Sequence, residues 1–141
     1  MVKLLAPVVL AFGLAVAGPV SAATPEENLA ILGADTELWS GLFALAVADE
    51  IRNNCPTIEA RTLRATAFVY GLYRRARGYG FTRQELRAFQ VHETTGTRMR
   101  AEVGVYFAQH GVREGVPDTY CALGLAEIAA GSQAGEILRA R

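Results

Sequence analysis

Lysine is all but missing from this chain. Lys3 is the only one among 14 basic residues, so beyond the first few positions arginine alone carries positive charge. Arginine suits planar recognition of carboxylates and phosphates, although coding bias produces the same composition. Histidine is almost as scarce. His92 and His110 are the only imidazoles, too few and too far apart to announce a metal site. Nucleophile elbows, phosphate-cradling glycine loops, haem-attaching Cys-X-X-Cys-His runs and His-Glu-X-X-His zinc helices are all absent. Neighbouring carboxylates such as Asp49 and Glu50 point to different helix faces, so they make no acid and base arrangement by themselves. The expectation is a non-catalytic protein without cofactor or metal. An excess of either charge is missing too, with 14 basic against 14 acidic residues. Loss of Lys3 would leave one acid in excess, which argues against nucleic acid as a partner because phosphate neutralisation dominates such binding. Beyond the amino-terminal segment the longest purely apolar run is Leu42–Ala48, far short of the roughly 20 residues a membrane span needs. Hairpin signals, repeats, low-complexity tracts and linkers are also absent.

What is present begins with an export signal. Residues 1–22 place Lys3 and the amino terminus before an apolar stretch, Leu4–Ala17, and end on Val20-Ser21-Ala22, the small residues signal peptidase accepts. A cut after Ala22 or Ala23 predicts a mature, periplasmic chain. Residues 23–141 then form a single domain, of about 118 residues from Thr24, large enough for one core. A retained anchor is the rival reading, but Pro7 and Gly13 interrupt the apolar stretch and Pro19 flanks it. In an oxidising compartment an even number of cysteines reads as a bridge, so Cys55 and Cys121 are expected to form one disulfide. Chain-entropy arithmetic for such a loop gives roughly 4 kcal/mol. The rival is a catalytic thiol, since Cys121 falls in a first helical turn where a thiol's pKa drops. No Cys-X-X-Cys pair accompanies it.

The periodicity is helical nearly throughout, predicting an all-α domain, a compact bundle of about five to six helices stapled by that disulfide. Thr24-Pro25-Glu26-Glu27 opens a short helix that stops at Gly33. Asp35 or Thr36 caps a second, running through Leu38, Trp39, Leu42, Phe43, Leu45, Val47 and Ile51 and ended by Cys55-Pro56. So little of its middle is polar that it should be the central, most enclosed element. Thr57 should cap a third helix carrying Ile58, Ala65, Phe68, Val69, Leu72 and Ala76 to a stop at Gly78-Tyr79-Gly80. Thr82-Arg83-Gln84-Glu85 is a capping box for a fourth, with Leu86 and Phe89 inward. A break over residues 94–97 should precede a helix with Met99, Val103, Tyr106 and His110 on one stripe and an Arg98–Glu102 surface pair. Asp118 should cap the last major helix, up to Ala130, before a short tail through Ile137 and Leu138.

Two patches invite functional readings. Arg74, Arg75 and Arg77 close the third helix, with Arg61 and Arg64 further up it. The macrodipole alone favours cations there. Interleaved with Tyr70, Tyr73 and Tyr79, the same arginines could also form a contact surface, since both residue types are enriched at binding hot spots. An acidic protein surface or a lipid headgroup is the expected target. The last helix is rich in small residues, Ala122, Gly124, Ala126, Ala129 and Ala130, which permit close packing inside the domain or against a partner helix.

Four stretches also carry a family likeness: Ile51-Arg52-Asn53-Asn54-Cys55-Pro56-Thr57-Ile58-Glu59-Ala60-Arg61, Arg98-Met99-Arg100-Ala101, Tyr120-Cys121-Ala122-Leu123-Gly124 and Gly131-Ser132-Gln133. In these the chain resembles a family of small exported alphaproteobacterial proteins, Rhodobacter-type relatives among them, that is a domain of unknown function. The resemblance covers nearly the whole mature chain and brings no catalytic residues with it. It implies an envelope-side accessory role, with respiratory complex I as one candidate partner. The leading expectation is a non-catalytic interaction module of an envelope protein or membrane complex, working through Arg74, Arg75, Arg77, Tyr70 and Tyr73. A periplasmic carrier with an apolar cavity between helices is the alternative. An enzyme built on His92 or His110 with a nearby carboxylate is the third.

Overall fold

The computed structural model describes residues 24–141, so the expected export segment and its cut site lie outside the described residues. Thr24 opens the first helix, α1 (Pro25–Ala34), through a complete capping box in which its hydroxyl accepts from the Glu27 amide and the Glu27 carboxylate accepts from its own amide. Asp35 separates α1 from α2 (Thr36–Asn54) and caps α2 by accepting from the Leu38 amide at 2.9 Å. The two helices meet at 92°. No single helix among the described residues is long and apolar enough to cross a membrane.

Helix α2 is the axis of the molecule, as its apolar composition predicts. It touches α1, α3 (Thr62–Gly78), α5 (Glu93–Gln109), α6 (Pro117–Ala130) and α7 (Gln133–Glu136). Two cores form along its length. Near its start, Leu38 and Trp39 pack with Leu32, Ala76, Phe81 and, from α4 (Arg83–Val91), Leu86 and Phe89. Towards its end, Val47, Ala48 and Ile51 pack with Val103, Phe107, Tyr120 and Leu123. Ile51 is completely enclosed, a burial that stabilises the fold by about 1.5–3 kcal/mol.

The disulfide expected between Cys55 and Cys121 is present, joining residues 66 apart in sequence with Cα atoms 5.1 Å apart. Cys55 caps the end of α2 and Cys121 lies in α6, so the bridge ties the central helix to the last long one. Both sulfurs are bonded, which overturns the thiol reading of Cys121. Small residues let these elements approach. A Cβ on Gly124 would collide with Ile51 and Ile58, so part of the small-residue face serves packing inside the domain.

The departures from expectation are local. Instead of a helix capped by Thr57, residues Ile58–Ala60 form a strand, β1, paired antiparallel with β2 (Leu138–Ala140) in the register Ile58↔Ala140. Helix α3 therefore begins at Thr62 without a side-chain cap. The break before α5 falls at His92, not over residues 94–97, and Thr95 is buried inside the helix. Pro117, preceded by Val116, starts α6 where Asp118 was expected to cap it, placing Asp118 in the first turn. With the short α7, the described residues hold seven helices and a two-stranded sheet, so the bundle is helical as predicted but slightly more divided.

Candidate functional site

The arginines and tyrosines at the end of α3 do not form one surface. Arg75 turns inward, its Nε donating to Asp35 Oδ2 at 2.7 Å and its Nη1 pairing with Glu37 at 2.5 Å. The Tyr79 hydroxyl donates to the same Asp35 oxygen at 2.5 Å. Hydrogen bonds from Arg75, the Leu38 amide and Tyr79 outweigh burial and hold the Asp35 carboxyl far below the usual carboxylate range. Arg77 donates to the Phe81 carbonyl at 2.6 Å and so closes the turn after α3. Arg74 is exposed and makes no hydrogen bond or ion pair among the described residues. The cluster thus divides into two arginines engaged within the domain, Arg75 and Arg77, and a rim charge, Arg74, with no partner among the described residues.

Tyr70 and Tyr73 belong to a different feature. Helix α3 buries little of itself, with Ala76 its only fully buried residue, and it stands apart from α4 over the floor of α2. An apolar groove of about 330 Å³ results, floored by Leu42 and Leu45 and walled by Val69, Tyr73, Leu86 and Phe89. Tyr70 lies on its lip, 60% exposed, with its ring stacked against Tyr73 at 6.4 Å. Arginines border the groove. Arg83 donates to the Tyr73 hydroxyl at 3.3 Å, Arg74 lies one turn beyond Tyr70, and exposed Arg87 lies one turn before Gln90.

A second cleft, of about 600 Å³, runs between α2 and α5. Its outer charges satisfy one another: Trp39 Nε1 and Arg98 Nε each donate to Glu102, at 2.7 and 2.8 Å, and the Arg98 guanidinium sits 3.8 Å over the Trp39 ring. Burial pushes the Glu102 carboxyl up, but these donors hold it below its usual value. Ser40, Phe43 and Tyr106 line both this cleft and a recess of about 190 Å³ that reaches Glu127 of α6. Glu127 is only 7% exposed and accepts hydrogen bonds from the Tyr106 and Ser132 hydroxyls. Burial, then the bond to Glu127, pushes the Tyr106 hydroxyl up to about 12. Ser132 reaches Glu127 because Gly131, at φ 62°, takes the left-handed turn that folds α7 back onto α6. Sequence reasoning passed over Glu127. Its signal was a lone acid in the apolar middle of Ala122–Ala130.

The two histidines do not converge. His110, exposed, packs its ring at a tilt against Tyr106, centroids 4.1 Å apart, and its Nδ1 lies 2.7 Å from the Tyr106 carbonyl. His92 is half-buried between α4 and α5 with Nδ1 enclosed and unpaired. No group of three or more His, Cys, Asp or Glu side chains that could hold a metal occurs among the described residues.

No curated protein and no solved structure matches this chain. One family does, over residues 30–139, the span that holds both cores, the disulfide, the groove and the recess. The chain belongs to the Family of unknown function (DUF5333).

Proposed function

We propose that the protein is a non-catalytic binding module exported to the periplasm, where its α2–α3–α4 groove docks an apolar helical segment of an envelope protein or membrane complex. The observation that carries this reading is the groove itself, an open apolar trough with Val69 and Tyr70 left 46% and 60% exposed along one lip. Apolar surface rimmed by polar residues marks interaction sites, and aromatic anchors dominate their energetics. Arg74, Arg83 and Arg87 along the borders favour a segment flanked by acidic residues. The disulfide supports a location outside the reducing cytoplasm. Respiratory complex I, which the sequence resemblance brings in, is one partner of this kind.

A carrier of a small apolar ligand is a second reading of the same groove, because its volume of about 330 Å³ falls within the range of ligand pockets. One experiment separates them. Cross-linking in intact cells is compared between the native protein, a Val69→Asp/Tyr70→Ala variant, and an Arg113→Ala control on the far loop. The expected result is one defined adduct, lost only in the groove variant, with its melting temperature unchanged. An adduct that persists in the groove variant overturns the assignment. A small apolar molecule found by native mass spectrometry on native protein alone would favour the carrier.

A further inference from the structure

We infer that the recess over Glu127 is a separate binding site for a small organic ammonium ion, with Glu127 as its counter-charge. The site shares no lining residue with the groove and does not depend on its role. Two acids are buried among the described residues, Asp35 and Glu127. Asp35 is matched by Arg75 at 2.7 Å. Glu127 forms no ion pair with any arginine or histidine among the described residues. A carboxylate removed from water calls for a compensating cation, and the described residues supply none at Glu127.

The cavity at that carboxylate has the shape and chemistry for such an ion. Tyr106 donates to one Glu127 oxygen and Ser132 to the other. A carboxylate has about four acceptor positions, so about two remain for an N–H donor. Phe43 and Tyr106 stand edge to face at 5.4 Å as aromatic walls, and the His110 ring, tilted against Tyr106, supports it from outside the recess lining. Aromatic faces attract alkylammonium groups, and a neighbouring carboxylate adds full charge to that attraction. A recess of about 190 Å³ admits an ammonium head with a few carbons, and the shared walls Ser40, Phe43 and Tyr106 open it to the larger α2–α5 cleft for the rest of the molecule. A metal ion is a poorer match, because among the described residues Glu127 is the one carboxylate lining the recess and no histidine or cysteine lines it.

The test is calorimetric titration of the folded, disulfide-bonded protein with butylammonium and tetramethylammonium chloride, with sodium chloride at matched ionic strength as reference. Fluorescence of Trp39, the only tryptophan, reports from the adjoining cleft. Saturable one-to-one binding of at least one ammonium ion is expected, weakened about tenfold or more by Glu127→Gln. Ser40 is exposed at the shared wall, so Ser40→Phe should block entry and abolish binding while leaving Glu127 and the fold intact. If Glu127→Gln does not fold, Ser40→Phe decides. Heat no greater than that of sodium chloride, or binding unchanged by Ser40→Phe, overturns the proposal.

Discussion

Asp35 ties α2 to the end of α3 through three contacts to one carboxylate. It caps α2, accepts from Tyr79 beyond the end of α3, and pairs with Arg75 of α3. Its side chain is 2% exposed, whereas that of Arg75 is 38% exposed. Removing one partner of a fully buried pair costs about 3–5 kcal/mol, and solvent screening at Arg75 lowers that. Arg75→Ala should therefore lower stability measurably, whereas Arg74→Ala, with no partner to lose among the described residues, should leave it nearly unchanged; urea unfolding checks both. Because the folded Asp35 carboxyl sits below its ordinary value of 3.8, its contribution is complete above that value and is lost as pH falls through the folded pKa. The stability gap between native protein and Asp35→Asn should accordingly narrow as the medium is acidified below about pH 4. At this scale the sequence marked Arg74, Arg75 and Arg77 as alike, since all three sit in one terminal turn. Which of them faces Asp35 is a matter of how α3 is rotated against α1 and α2.

Among the elements, α2 and α4 were legible because each carries its own signals: an apolar face and a capping residue. The β1–β2 ladder was not. Three-residue strands are too short to show alternation, and Ile58 pairs with Ala140, 82 positions away, so no local pattern marks the partner. The ladder is extended by bonds from the Arg61 amide to the Ile137 carbonyl and from the Arg141 amide to the Thr57 carbonyl. Glu59 pairs across it with Arg139 and Arg141, which hold the Glu59 carboxyl below its usual value. The carboxyl-terminal tail is thereby pinned beside the disulfide, with Leu138 only 1% exposed. Leu138→Ala should cost about 2–5 kcal/mol in thermal or urea unfolding. Glu59→Ala, whose partners are solvent-exposed, should cost far less than Leu138→Ala in the same measurement.

For the whole molecule the bridge between Cys55 and Cys121 acts on the unfolded chain as much as on the folded one. A closed loop spanning 66 positions loses roughly 4 kcal/mol of unfolded-state entropy at 25 °C. Reduction, or the paired change Cys55→Ala/Cys121→Ala, should therefore lower the melting temperature by roughly 12–20 °C, measured by circular dichroism with and without reductant. The sequence by itself determined the helical class, the central place of α2, the helix starts at Thr24 and Thr82 and the pairing of the cysteines. Each of these depends on local periodicity, on side chains reaching backbone three residues away, or on there being only two sulfurs to join. The groove, the ladder and the buried Glu127 were decided by tertiary structure, because each exists only where elements far apart in sequence meet. Tyr70 becomes a groove lip because α3 and α4 stand apart over α2, and Glu127 becomes an enclosed charge because Gly131 folds Ser132 back onto it while α5 brings Tyr106 across.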